Sequence, residues 1–183
     1  YEWAQLGATG AKKLGLGFLR GSKTQTEGHR LRHELWAARA RLGSEAGVPL
    51  DFCEGGVSRE ERNRLFLNKF ALVVENSRHA NYFTEKLLDA VLARCVPIYW
   101  GCPNIGEFFD LGGIVVLEGG VDEVCSACSR LSEDDYQSRL EAVERNAERA
   151  AAYAGDFGQR VQRALEECPL AAAKAPGSTD GGG

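Results

Sequence analysis

A chain of 183 residues with 44% hydrophobic and 26% charged side chains has a globular composition and the length of one domain with appendages. A formal charge of -4 argues against a general nucleic-acid binder, which would carry a basic footprint. No run of about eighteen apolar residues is present, so the sequence offers no membrane-spanning helix.

The sequence has no Met at position 1 or anywhere else. "YEWAQLG" lacks the basic and apolar regions of a signal peptide. The chain therefore reads as a piece of a longer protein, with any targeting signal or anchor lying outside it. Residues 1–13 read as a lead-in, 14–168 as the folded domain and 169–183 as a low-complexity tail too poor in apolar area to order itself.

In chain order, "KLGLGFL" predicts a buried strand ending at Leu19, and "GSKTQTEG" a polar loop. Leu31, Leu35 and Ala38 recur at helical spacing and predict one helix from His29 to about Ala46. "VPLDFC" predicts a second strand. "SREERNRLFLNK" opens with a Ser cap and predicts a helix over 58–69. "FALVV", apolar on both faces, predicts a central strand of a parallel sheet. Thr84 predicts the cap of a helix carrying Leu87, Leu88, Val91, Leu92 and Cys95. "VPIYW" and "GIVVL" predict two further strands with a short helix, "NIGEFF", between them. From Val121 the pattern is helical to about Cys168, with breaks near Ser132 and around Gly155 and Asp156.

Strands alternating with helices imply βαβ units, hence an α/β fold with a parallel twisted sheet of about five strands. Such sheets bind ligands at the carboxyl ends of their strands, beside helix N-termini. The loop 75–83 leaves the central strand at that edge and delivers Thr84, Glu85 and Lys86 to a helix start.

Lys86 is the informative residue there. A cation in a helix's first turn opposes the dipole by about 0.3–1 kcal/mol when exposed. Two readings account for it: a pair with Asp89 three residues on, or an anion held jointly by the ammonium and the free backbone N–H groups. Asn76 and Tyr82 bring an amide and a phenol to the same loop, and Glu85 a carboxylate suited to sugar or ribose hydroxyls. Lys23, His29, Arg30 and Arg32 form a second basic group at the junction after the first strand.

Other constellations are weaker. His29 and His33 flank "RLR", not the Glu-first pattern of a zinc helix, and no third ligand accompanies them. "CSAC" has metal or redox spacing but no second half, so the six cysteines are read as inert thiols, structural disulfide partners, or a group with metal or redox chemistry. "SEDDY" reads as a capped first turn. No phosphate-loop, dinucleotide or nucleophile-elbow motif occurs.

The segment "FALVVENSRHANYFTEKLLDAVLARCVPIYWGCPNIGEFF" resembles the carboxyl-terminal donor-binding half of the α-1,3/1,4-fucosyltransferase family. An Asn-Ser start, a Tyr followed by x-T-E-K, V-P-I-Y-W-G and a P-N-I close occur in the family's order. Upstream similarity is weaker and reaches back through "GHRLRHELW".

The resemblance implies a two-lobed glycosyltransferase (GT-B type) whose lobes are each Rossmann-like. This lobe would hold a GDP-sugar, usually GDP-fucose, as donor substrate, with no separate cofactor and no metal. It implies Lys86 and Arg32 on the donor diphosphate, Glu85 on donor hydroxyls, and Asn76 and Tyr82 lining the same pocket. It also implies inversion at the sugar carbon by a base in the amino-terminal lobe, so no catalytic base is named in this chain. The implied partners are a nucleotide-sugar donor and a glycan acceptor, as in protein glycosylation, with no nucleic acid. For a eukaryotic source the implied location is the lumenal side of the Golgi membrane, attached through segments absent from this chain. A transferase using another nucleotide sugar, or a degenerate homologue that only binds, are the alternatives.

Overall fold

The computed structural model describes residues 12–153. The expected tail over 169–183, the end of the helical run towards Cys168 and its break near Gly155 lie outside them. Five strands form one sheet: β1 (Lys13–Leu19), β2 (Leu50–Cys53), β3 (Asn68–Val74), β4 (Val96–Trp100) and β5 (Val115–Leu117). All pair in parallel, in the order β2-β1-β3-β4-β5. This is a doubly wound α/β sheet, Rossmann-like, with the expected number of strands and β3 at its centre.

The pleat of β3 explains why it is apolar without a break from Phe70 to Val74. Phe70, Leu72 and Val74 join a core with Leu31 and Leu35 of helix α1 (Glu27–Ala37), Leu42 of α2 (Arg39–Glu45) and Val124 of α5 (Val121–Cys128). Ala71 and Val73 face the other way. They meet Leu87, Leu88, Val91 and Leu92 of α4 (Glu85–Leu92) in a second core. A strand covered on both faces has no solvent side on which to place polar residues.

Several boundaries differ from the sequence reading. The single helix expected from His29 to Ala46 is two, because Ala38 ends α1 and starts α2 with φ -83 and ψ 6. Helix α1 also begins earlier, at Glu27, where Thr26 caps it and His29 completes a capping box. The helix expected over 58–69 is α3 (Arg59–Leu65), capped by Ser58. Asn68 and Lys69 instead open β3. Asn68 is buried and donates to Leu65 O at 2.9 Å and Asp51 Oδ2 at 3.1 Å, so the sheet overrides a polar local pattern. "NIGEFF" forms only a 3-10 turn at Ile105–Glu107. The last strand is shorter than "GIVVL", since Leu111–Gly113 is a second such turn. Ser132 caps α6 (Glu133–Ala151), matching the expected break.

Candidate donor site at the switch point of the sheet

In the order β2-β1-β3-β4-β5 the chain reverses direction between β1 and β3, and a crevice opens beyond their carboxyl ends. Two helix N-termini face that crevice: α1, following β1, and α4, following β3.

The loop between β3 and α4 is held at three places. At its start, Gly28 N donates to Asn76 O at 3.0 Å. A Cβ on Gly28 would come 1.7 Å from Glu75 O, so only glycine lets α1 lie this close. In the middle, Asn81 has a left-handed backbone (φ 61), which asparagine tolerates. Asn104 secures it, accepting from Asn81 N at 2.8 Å and donating to Asn81 Oδ1 at 2.8 Å. At its end, Glu75 accepts from Thr84 N at 2.8 Å and from the Thr84 hydroxyl at 2.7 Å. The P-N-I segment of the signature thus supplies a clamp for the loop.

Arg32 reaches this loop from the buried side of α1, which it shares with Gly28, His29, Leu31 and Leu35. Its Nη1 donates to Val74 O at 2.6 Å and its Nη2 to Asn76 Oδ1 at 3.0 Å. Burial pulls its pKa below the ordinary arginine value, and the charge of Glu75 pushes back. Lys86 Nζ donates to Thr84 Oγ1 at 3.1 Å and Glu85 Oε1 at 3.1 Å. It also lies 3.8 Å from Glu75 Oε2. Burial raises the Glu85 carboxyl, but the charge and hydrogen bond of Lys86 more than offset this and hold it low.

A cavity of about 190 Å³ adjoins these groups, with Arg32, Glu85, Lys86 and Asp89 in its wall. Asn76 and Tyr82 are not part of that wall. Tyr82 sits half-buried in the loop with its ring against His79 at 6.4 Å. Asp89 does not pair with Lys86: its Oδ1 is buried without a hydrogen-bond partner among the described residues. Burial pushes its carboxyl up to about 6. His29 is buried, with Nδ1 2.8 Å from the Thr26 hydroxyl; burial and then Arg32 lower its pKa, so it serves as a neutral cap.

Glu75 was not distinguished by the sequence reading. It is 0% exposed, and burial raises its pKa against the hydrogen bonds of Thr84 and the charge of Lys86. The available signal was its position as the first residue after an unbroken apolar strand. The five described cysteines are free thiols, and burial pushes Cys128 up to about 12, which suits an inert side chain.

Chemically, the Arg32 guanidinium and the Lys86 ammonium share the wall of one cavity beside the switch point. Together they can receive an anion of more than one charge.

Comparison with known proteins finds a family match that overlaps this loop. Residues 56–110 match the model of "Glycosyltransferase family 10 (fucosyltransferase) C-term". That segment holds Asn76, Tyr82, Glu85 and Lys86; Arg32 lies before it. The α-(1,3)-fucosyltransferase FucT of Helicobacter pylori is 43% identical over 42 residues, covering 23% of this chain and 9% of that protein. The α-(1,4)-fucosyltransferase of Arabidopsis thaliana is 29% identical over 103 residues, 55% of this chain and 25% of that protein. The chain thus spans a quarter or less of the curated relatives it matches.

Crystal structures of an α1,3-fucosyltransferase, alone and with GDP-fucose, superpose with TM-scores of 0.51 and 0.53. Identity is 21% and 22%, over 70% of this chain and 37% and 38% of those chains. At that identity they show a shared fold. Through residues 56–110 the chain is similar to the carboxyl-terminal domain of glycosyltransferase family 10, the fucosyltransferases.

Proposed function

We propose that this chain is the donor-binding part of an inverting glycosyltransferase that moves fucose from GDP-fucose to a glycan hydroxyl. The observation that carries the reading is that Arg32 and Lys86, from two different helices, line one cavity at the switch point of the sheet. In the proposed roles these cations hold the donor diphosphate, Glu85 meets donor hydroxyls, and Asn76 and Tyr82 border the same loop. The names of the matched relatives and the donor bound in one fold neighbour support the choice of GDP-fucose.

The chemistry needs such a site. As the bond between sugar and diphosphate breaks, negative charge grows on the leaving GDP. Fixed cations stabilise that charge without reorganising. A base acting on the acceptor is not assigned to any described residue. Among those residues no helix is long and apolar enough to cross a membrane. The proposal for a eukaryotic source is the lumenal side of the Golgi membrane, with attachment through other segments, supported by family resemblance alone.

The test is transfer by the intact protein, offered GDP-fucose and a panel of glycan acceptors, with the product's anomeric configuration read by NMR. Acceptor-dependent release of GDP with inversion supports the proposal. Binding of GDP-fucose with no transfer to any acceptor would favour a binding-only homologue, and transfer from UDP-sugars alone would replace the donor.

A further inference from the structure

Glu75 is the residue on which the site's geometry turns. Its backbone N–H pairs with Trp100 O at 2.9 Å, so the residue is anchored by the central strands before its side chain does anything. The carboxylate is fully buried, an expensive place for a charge unless it is used. Both of its oxygens are spent on one residue, Thr84, at the far end of the loop.

The consequence runs through a single proton. The Thr84 hydroxyl has one hydrogen, and at 2.7 Å from Glu75 Oε2 it is committed there. The lone pairs of Oγ1 are therefore left for Lys86, whose backbone N–H lies at 3.3 Å and whose Nζ lies at 3.1 Å. The same carboxylate stands 3.8 Å from that ammonium. Arg32, on the other side of the loop, hydrogen-bonds to the two residues flanking Glu75. The acid is thus the shared counter-charge of two cations that would otherwise repel each other. Its surroundings are built to hold it: a Cβ on Gly101 would fall 2.6 Å from Glu75 Cγ.

We propose that Glu75 is the positioning residue of the diphosphate clamp, acting through Thr84 to seat the Lys86 ammonium at the N-terminus of α4. The inference rests on the reading of Arg32 and Lys86 as diphosphate ligands. Glu75 itself touches no phosphate; it is turned inward, behind Thr84, so its charge orients the lysine without facing the anion.

The experiment is calorimetric titration of the intact protein with GDP and with guanosine, which lacks phosphate. Glu75→Gln is compared with Lys86→Ala and with the double variant. The Gln side chain keeps an acceptor for Thr84 N but presents an NH₂ group to the hydroxyl, reversing its proton. The expected result is a loss of GDP affinity of about tenfold or more with guanosine affinity unchanged. In the Lys86→Ala background the Glu75→Gln change should then cost little further, because the two act as one unit. Equal losses for GDP and guanosine would reduce Glu75 to a structural role, and additive losses would separate it from Lys86; either overturns the proposal. If Glu75→Gln does not fold, Thr84→Val keeps the backbone hydrogen bond and removes the relay, and unchanged GDP selectivity in that variant also overturns it. Wild-type protein that binds no GDP would remove the clamp itself and this inference with it. Wild-type binding with a normal Glu75→Gln variant removes only the role of Glu75.

Discussion

Arg32 on α1 and Asn76 after β3, 44 residues apart in sequence, are joined by a hydrogen bond of 3.0 Å across the switch point of the sheet. The same guanidinium also holds Val74 O at 2.6 Å, so one planar side chain bridges the end of a strand and the start of the loop. An ammonium cannot reproduce that fork. Arg32→Lys is expected to lower kcat/KM on the order of 10² and to cost about 1–3 kcal/mol of stability through the carbonyl left unpaired. Steady-state kinetics and denaturant melts of the same preparation check both. An active, fully stable Arg32→Lys enzyme would deny Arg32 its bridging role.

Lys86 carries a separate prediction. It is 31% exposed, so its removal disturbs little packing, while it supplies a cation beside the proposed leaving group. Lys86→Ala should reduce turnover by about 10²–10³. Near-normal turnover would take Lys86 out of the mechanism.

Asp89 gives a pH-dependent prediction. Burial raises its carboxyl from 3.8 in the unfolded chain to about 6 in the fold, with Arg62 and Lys86 lowering it and Glu85 adding to the rise. The folded state therefore binds this proton more tightly than the unfolded state. The stability it contributes is present below about pH 4 and is lost as pH rises through about 6. At pH 7 the charged carboxylate carries a penalty of about 1–3 kcal/mol. Asp89→Asn should accordingly be more stable than wild type at pH 7.5, with the advantage shrinking towards pH 4.5. Urea melts at both values test this, and an equal destabilisation at both would contradict it.

Gly28 tests how closely α1 must approach the loop. Gly28→Ala places a methyl group against Glu75 O and should cost about 1–3 kcal/mol or more, because a backbone carbonyl cannot swing aside as a side chain can. The measurement is the melting temperature, and GDP affinity should fall with it. An unchanged melting temperature would mean that α1 and the loop separate at little cost.

Much of this was legible in the sequence, and the gaps have physical causes. The unbroken apolar run of β3 marks a strand buried on both faces, and it is the sheet's centre. Thr84 reads as a cap and accepts from Lys86 N in the structure. Strand order is different: nothing local says that β2 lies outside β1, because pairing is decided by contacts distant in sequence. Asn68 and Lys69 read as helix by composition, yet Asn68 enters β3 because its amide finds partners in Leu65 and Asp51. Arg32 shares a buried helix face with Gly28 and Leu35 while Arg30 is exposed, so helical phase separates the two arginines. Glu75 had no such marker, since its value comes from Thr84, which lies nine residues away and is folded back onto it.

The central proposal is that Arg32 of α1 and Lys86 of α4 line a nucleoside diphosphate site selective for GDP. The most direct measurement is a thermal-shift panel on the intact protein with GDP, UDP and CDP. A ligand at a hundredfold its Kd stabilises by about 2.7 kcal/mol, readily seen as a raised melting temperature. The account predicts that GDP raises it and that UDP and CDP do not, with the rise abolished by Lys86→Ala. A rise with UDP and none with GDP would contradict it.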